Sequence, residues 1–177
     1  MFDPDGPVLG IDPGLSRCGY GAVRRHRGTL TAVAYGVVST DRDAALPERL
    51  AALEADLDSF VAEVRPAALA VERILFQANV RTAISVGQAS GLALAVAARA
   101  GIPVTHYSPN EVKLAVAANG AAGKAQVQAM VMRLLRLPEA PPPDAADALA
   151  LAVCHLWRDP LRVGVARAIA SAGGAAR

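Results

Sequence analysis

Four carboxylates in this chain stand on otherwise apolar segments, where charge is seldom placed without a use. Asp12 closes the run Val8-Leu9-Gly10-Ile11 and is followed by the breaker Pro13-Gly14, while Glu72 closes a second run, Ala68-Leu69-Ala70-Val71. Asp144 and Asp147 open a third apolar stretch directly after Pro143. An apolar run of this length bounded by Gly and Pro reads as a buried strand, so Asp12 falls at a strand end where the backbone must turn, and Glu72 falls in a comparable setting. Asp144 and Asp147 are three apart at the start of a helical pattern and share one helix face. Magnesium and manganese prefer oxygen ligands, so such a set of acids suits them as a metal cage better than histidines or thiolates would. Clustered carboxylates repel without metal; their pKa values are expected to be raised in the metal-free protein and to fall when cations bind.

Each acid also has an ordinary reading. Asp144 after Pro143 is a good N-cap, and Asp147 would occupy the first turn, where acids suit the helix dipole. Asp12 could form an Asx turn before Gly14, and Glu72 could be a strand-end surface acid. All of these are compatible with metal binding.

The elements that must position the acids follow from the chain in order. After the Asp12-Pro13-Gly14 turn, residues 18–24 and 30–38 read as strands joined through Arg25-His26-Arg27-Gly28, a hairpin with Gly at its turn. Leu46, Leu50, Leu53, Leu57, Phe60, Val61 and Val64 recur at helical spacing behind a first-turn proline, Pro47. That helix leads into a strand over 67–72, and strand, helix, strand argues for a parallel crossover. An Ala-rich helix over 84–100 ends at Gly101, a fifth strand covers 102–107, and helices are expected over 109–117, 124–135 and 144–157. The fold class is therefore α/β, with a mixed five-stranded sheet and helices on both faces. Residues 1–160 are expected to form one domain, and 161–177 a weakly patterned tail. If the first and fourth strands pair in parallel, Asp12 and Glu72 meet at the carboxyl edge, where open α/β sheets build their sites.

The chain has 177 residues, 53% of them hydrophobic, which is ample for a core and gives no case for disorder. A formal net charge of +2 permits a polyanionic partner without demanding one. Cys18 and Cys154 lack CxxC spacing and read as reduced core residues rather than a disulfide or a zinc site. No signal-like segment or bilayer-length apolar stretch is apparent, so a soluble, cytoplasmic protein with no membrane association is expected.

In sequence order, Ile11-Asp12-Pro13-Gly14, Val71-Glu72-Arg73, Asn79, Val86-Gly87-Gln88-Ala89, Glu111-Val112-Lys113 and Asp144-Ala145-Ala146-Asp147-Ala148-Leu149-Ala150 resemble the successive motifs of the RuvC family of Holliday junction resolvases. The similarity runs without large gaps over nearly the whole chain. The resemblance implies an RNase H-like fold, a homodimer, two divalent metal ions per subunit and paired nicks in a four-way DNA junction. It assigns catalytic and metal-binding roles to Asp12, Glu72, Asp144 and Asp147, and suggests the RuvA and RuvB proteins as partners. The chemistry is consistent with this: phosphodiester hydrolysis must generate a nucleophile from water and neutralise charge on the leaving oxygen, and two metals about 3.5 to 4 Å apart can do both. Asp12 is the natural bridging ligand, because a rigid strand end fixes it.

Basic residues carry a second signal. Among 18 Lys plus Arg only Lys113 and Lys124 are lysines, each in a segment resembling the family's DNA-contacting region. Lys124 follows a glycine loop at a helix start, which is unfavourable for a cation on dipole grounds and favourable for a phosphate; the ordinary reading is a pair of solvated helix-end cations. Arg73, Gln77, Asn79 and Arg81 line the connection after Glu72 and are candidate junction contacts or an ordinary polar loop. The family's aromatic wedge falls at Leu75 here, with Phe76 one place later; either could unstack a base, and either could be core. His26, His106 and His155 lack ligand spacing, although His155 lies two turns along from Asp147. The helix over 84–100 is the candidate dimer face, or simply a cover for the sheet. Two other classes fit less well: a phosphotransferase of the actin and sugar-kinase type would need a second phosphate loop and an adenosine motif, which the sequence does not show, and a non-enzymatic junction-binding module would be favoured by loss of one of the four acids, none of which is missing.

Overall fold

The computed structural model describes residues 6–73 and 80–174, with side chains left out for 80–82 and 159–174. Three antiparallel strands come first: β1 (Val8–Asp12), β2 (Arg17–His26) and β3 (Thr29–Ser39). The β2–β3 hairpin turns on Arg27 and Gly28, both at positive φ (49° and 81°), the backbone shape that matches the twist of paired strands. Helix α1 (Leu46–Val64), with Pro47 in its first turn, crosses over to β4 (Ala68–Glu72), which pairs in parallel with β1. Helix α2 (Val80–Arg99) then leads to β5 (Val104–Tyr107), parallel to β4. The sheet order is β3-β2-β1-β4-β5, the mixed five-stranded sheet expected.

Three helices follow: α3 (Pro109–Ala117), α4 (Lys124–Leu135) and α5 (Pro143–Gly174). Leu9, Ile11, Leu69 and Val71 share a core cluster with residues of α1 and α2. Val8, Ala68 and Ala70 pack into a second cluster with residues of α3, α4 and α5. Helices therefore cover both faces. Because side chains alternate along a strand, Asp12 and Glu72 project from the same face as Val8, Ala68 and Ala70, the face covered by α3, α4 and α5. Cys18 and Cys154 are both buried, as expected of core residues, and burial raises the Cys18 thiol to about 11. Among the described residues no helix is long and apolar enough to cross a membrane.

Several boundaries differ from the sequence expectation: β2 runs on to His26, into the turn expected over 25–28, and β5 starts at Val104 rather than residue 102. Two helices differ further. Helix α2 starts at Val80 rather than residue 84. Helix α5 runs on through Pro160 to Gly174, past the expected domain boundary at 160 and the tail expected beyond it. That tail lacks the apolar periodicity that marks a packed helix, but it is rich in alanine and arginine, both strong helix formers.

Candidate metal and nucleic-acid site

Asp12 and Glu72 end neighbouring parallel strands whose last registered pair is Ile11 with Val71, so the two acids emerge side by side at the carboxyl edge of the sheet. The turn behind Asp12 is pinned from several sides. The Thr40 hydroxyl donates to the Leu15 carbonyl at 2.6 Å, and Arg49 donates to the hydroxyls of Thr40 (3.0 Å) and Ser16 (2.7 Å). Asp12 therefore stands on fixed backbone.

Helix α5 brings the other two acids over this edge. A Cβ built on Gly10 would lie 1.9 Å from the Ala148 carbonyl oxygen, and one on Gly19 would lie 2.0 Å from that of Asp144. Only glycine allows a helix backbone this near a strand. Gly10 is two residues from Asp12 on the same strand face, and Gly19 is the registered partner of Asp12 on β2. These two glycines thus set the height of Asp144 and Asp147 above Asp12, and sequence reasoning did not single them out. The segment before α5 is tied to α4 by Gln128, which donates to the Pro141 carbonyl at 2.7 Å.

Asp144 lies inside the first turn of α5, which begins at Pro143, so it is not the N-cap that its position after a proline suggests. Its Oδ2 instead accepts from Arg17 Nε at 2.7 Å. Asp147 Oδ2 pairs with Lys124 Nζ at 3.3 Å. Arg17 was missed in the sequence, where a basic residue opening a strand carries no signal of its own.

The electrostatics follow from this crowding. Burial, followed by the carboxylates of Glu72 and Asp147, lifts the Asp12 carboxyl from 3.8 to about 7, with Asp144 adding and Lys124 opposing. Glu72 is raised too, chiefly by burial and then by Asp147, against Lys124, a hydrogen bond with Asp12 and Lys113. Lys124 is raised by Asp147 first, with Asp12 and Glu72 adding. Four acids and two lysines therefore sense one another at a single edge. Among the described residues no three of the His, Cys, Asp and Glu side chains are drawn together as ready ligands. Asp144 and Asp147 each have one oxygen on a cation, which leaves the other oxygen of each open to a further partner. The donor set is all carboxylate and fits magnesium or manganese.

Lys113 lies on α3, whose start is fixed by a capping box. Ser108 Oγ accepts from the Glu111 N–H at 3.3 Å, and Glu111 Oε2 accepts from the Ser108 N–H at 2.9 Å. Glu111 also pairs with Arg158, tying α3 to α5. Arg73 is exposed beyond β4, and its backbone N–H donates to the Tyr107 carbonyl at 2.7 Å. Leu75, Phe76, Gln77 and Asn79 lie outside the described residues, as does the side chain of Arg81. His155 is buried, with Nδ1 at 3.0 Å from the Tyr107 hydroxyl. That contact makes it part of the core between β5 and α5.

The family model described as Crossover junction endodeoxyribonuclease RuvC matches residues 8–155. A protein of that name from Salinispora arenicola is 57% identical over 163 residues, spanning 91% of this chain and 93% of its own length. One from Streptomyces griseus is 52% identical over 166 residues, spanning 93% of this chain and 81% of its own length. The solved structure of Thermus thermophilus RuvC in complex with Holliday junction substrate superposes with a TM-score of 0.83 at 37% identity, covering 88% of this chain and 96% of that one. The yeast mitochondrial Holliday junction resolvase shares the fold, with a TM-score of 0.61 at 16% identity, over 87% of this chain and 80% of its own.

Proposed function

This chain belongs to the RuvC family of crossover junction endodeoxyribonucleases, and on that premise we propose that it resolves four-way DNA junctions by metal-dependent phosphodiester hydrolysis at the edge where Asp12, Glu72, Asp144 and Asp147 converge. The observation that supports the site assignment is that Asp12 and Glu72 end paired parallel strands while the α5 backbone at Asp144 and Ala148 packs against Gly19 and Gly10 beside them. Carboxylates held this near one another form an anionic cage that a divalent cation relieves.

Two magnesium or manganese ions per subunit, when bound, would supply an activated water and neutralise the leaving oxygen. Asp12 and Glu72 from the strands and Asp144 and Asp147 from the helix would hold them. The chain's own share of the work is placement. The pinned turn after Asp12 and the glycine contacts beneath α5 fix the backbones that carry the two strand acids and the two helix acids, so the rearrangement left is in the side-chain ion pairs of Asp144 and Asp147. Lys124, paired with Asp147, and Lys113, whose charge acts on Glu72, would hold substrate phosphate. Arg73, Leu75, Phe76, Gln77 and Asn79 follow Glu72 in the sequence and Arg81 lies at the start of α2, and all six would meet the junction near its crossover.

A homodimer would present two equivalent sites to a substrate of approximate two-fold symmetry, and so give paired nicks. Ile84, 57% exposed on α2, supports that helix as the dimer face. Association with RuvA and RuvB and a cytoplasmic location belong to the same reading. So does a single nuclease domain over 1–160, with the rest of α5 as an extension of its last helix.

The test is cleavage of a labelled mobile four-way junction against a linear duplex, in magnesium, manganese or chelator. Metal-dependent paired nicks in the junction alone are expected. Tight junction binding without cleavage in any metal would leave a binding module and overturn the nuclease reading.

A further inference from the structure

Arg17 has no part in the chemistry derived so far, yet it is aimed at the site by the sheet itself. Arg17 and Gly19 are two apart on β2 and so face the same way. Gly19 is the residue whose missing Cβ lets the Asp144 backbone approach, and it is registered with Asp12. The strand therefore directs the guanidinium along the start of α5, where Nε meets Asp144 Oδ2 at 2.7 Å. Only Nε is engaged: among the described residues the two Nη groups have no hydrogen-bond partner, and the side chain is 50% exposed. This leaves the bidentate edge of the guanidinium open at the mouth of a phosphodiester-cleaving site. Planar guanidinium edges match phosphate oxygens.

Resting on the nuclease reading above, we propose that Arg17 is a phosphate-binding residue that trades partners: it holds Asp144 in the DNA-free protein and gives it up to the metal when a junction phosphate takes the guanidinium. A divalent cation at Asp144 repels the guanidinium and draws the carboxylate's charge to itself, so the two compete for Asp144 although Arg17 engages only Oδ2. Once displaced, Arg17 needs another anion, and the substrate backbone supplies it. The exchange couples the two ligands in both directions, because whatever DNA contributes to freeing Asp144, metal contributes to freeing Arg17 for DNA. Lys124 on Asp147 stands in a parallel relation on the other helix acid, at 3.3 Å. Arg17 is a positioning residue here, since it acts on the metal through Asp144.

The experiment avoids cleavage altogether, so its result is separate from the nuclease reading, which the junction cleavage assay decides. Manganese is titrated calorimetrically into DNA-free wild type, Arg17→Gln and Arg17→Lys, and junction binding is measured in chelator across a salt series. Removing a half-exposed ion-pair partner should tighten manganese binding by Arg17→Gln roughly two- to fivefold. The same variant should bind the junction more weakly, with a salt slope smaller by about one phosphate contact. Arg17→Lys keeps the charge, so its slope should stay at the wild-type value while manganese binding falls between the other two. Unchanged or weaker manganese binding by Arg17→Gln would overturn the competition for Asp144. An unchanged junction affinity and slope would overturn the phosphate contact. Loss of slope in Arg17→Lys would trace the effect to structure rather than charge and overturn it as well.

Discussion

The four acids at the sheet edge divide into two pairs that are held in opposite ways. Asp12 and Glu72 end paired strands, with no cation bonded to either among the described residues, and their carboxyls are raised by burial and by their neighbours. Asp144 and Asp147 ride on a helix and each has a basic partner, Arg17 or Lys124. The strand pair is a fixed anionic deficit that only a cation or a proton relieves. The helix pair is already compensated, so a metal ion there competes with the charge of Arg17 and Lys124. A metal site assembled from both pairs is thus preorganised in one half and exchangeable in the other.

The largest effect is expected from the fixed half. Asp12→Asn should lower junction cleavage by on the order of a thousandfold or more, since in the proposed site several kcal/mol of charge stabilisation would depend on the metal that Asp12 would hold. Junction binding in chelator should survive, and equal cleavage by variant and wild type would break the distinction between the pairs.

The seating of the helix half comes next. Gly19→Ala places a methyl 2.0 Å from the Asp144 carbonyl oxygen, so α5 must shift. A cost of about 1 to 3 kcal/mol in stability is expected for such overpacking, together with loss of cleavage. Chemical denaturation and single-turnover kinetics would register both, and a Gly19→Ala protein with wild-type activity would show that α5 does not need this depth.

The proton on Asp12 gives the third test. Its folded-state pKa of about 7 lies above the ordinary 3.8, so the folded protein binds this proton more tightly than the unfolded chain does. Metal-free stability should therefore fall as pH rises from about 4 to about 7 and stay low above that, a swing of about 4 kcal/mol. Asp12→Asn should lack that part of the slope and, in chelator at pH 8, melt above wild type. Parallel melting curves for the two proteins across this window would contradict the burial argument.

Lys124→Gln tests the exchangeable half more gently, with junction binding weakened and the salt slope reduced by about one. The smallest effect is expected on the opposite face of the sheet. There Arg99 pairs with Glu54 (2.8 Å) and Asp58 (3.0 Å) between α1 and α2 at the surface. Arg99→Gln should leave melting temperature and cleavage unchanged, because solvent screens such pairs; a loss of cleavage there would mean that basic residues act on the reaction from anywhere on the molecule.

The same division explains what could be read from the sequence. Asp12 and Glu72 were legible because a buried strand announces itself as an apolar run, and an acid ending one is conspicuous. Asp144 and Asp147 were legible as a pair by their spacing, but the role read for Asp144 in the ordinary case, an N-cap, was wrong because the helix already includes Pro143. Arg17 was not legible. Its meaning depends on Asp144, 127 positions away in the chain, and on Gly19 letting the helix approach. Gly10 and Gly19 were hidden for the same reason, since closeness of two backbones leaves no periodic trace. The extension of α5 was missed because Pro160 reads as a breaker and helix propensity without an apolar stripe gives no pattern to follow.

The central claim is that strand acids and helix acids form one metal site, and manganese titration of the DNA-free protein tests it most directly, with wild type beside Asp12→Asn, Glu72→Gln, Asp144→Asn and Asp147→Asn. Weaker manganese binding in all four variants, most severe for Asp12→Asn, is predicted. Wild-type affinity in both Asp144→Asn and Asp147→Asn, with loss confined to the strand variants, would contradict it and leave the helix acids as partners of Arg17 and Lys124 alone.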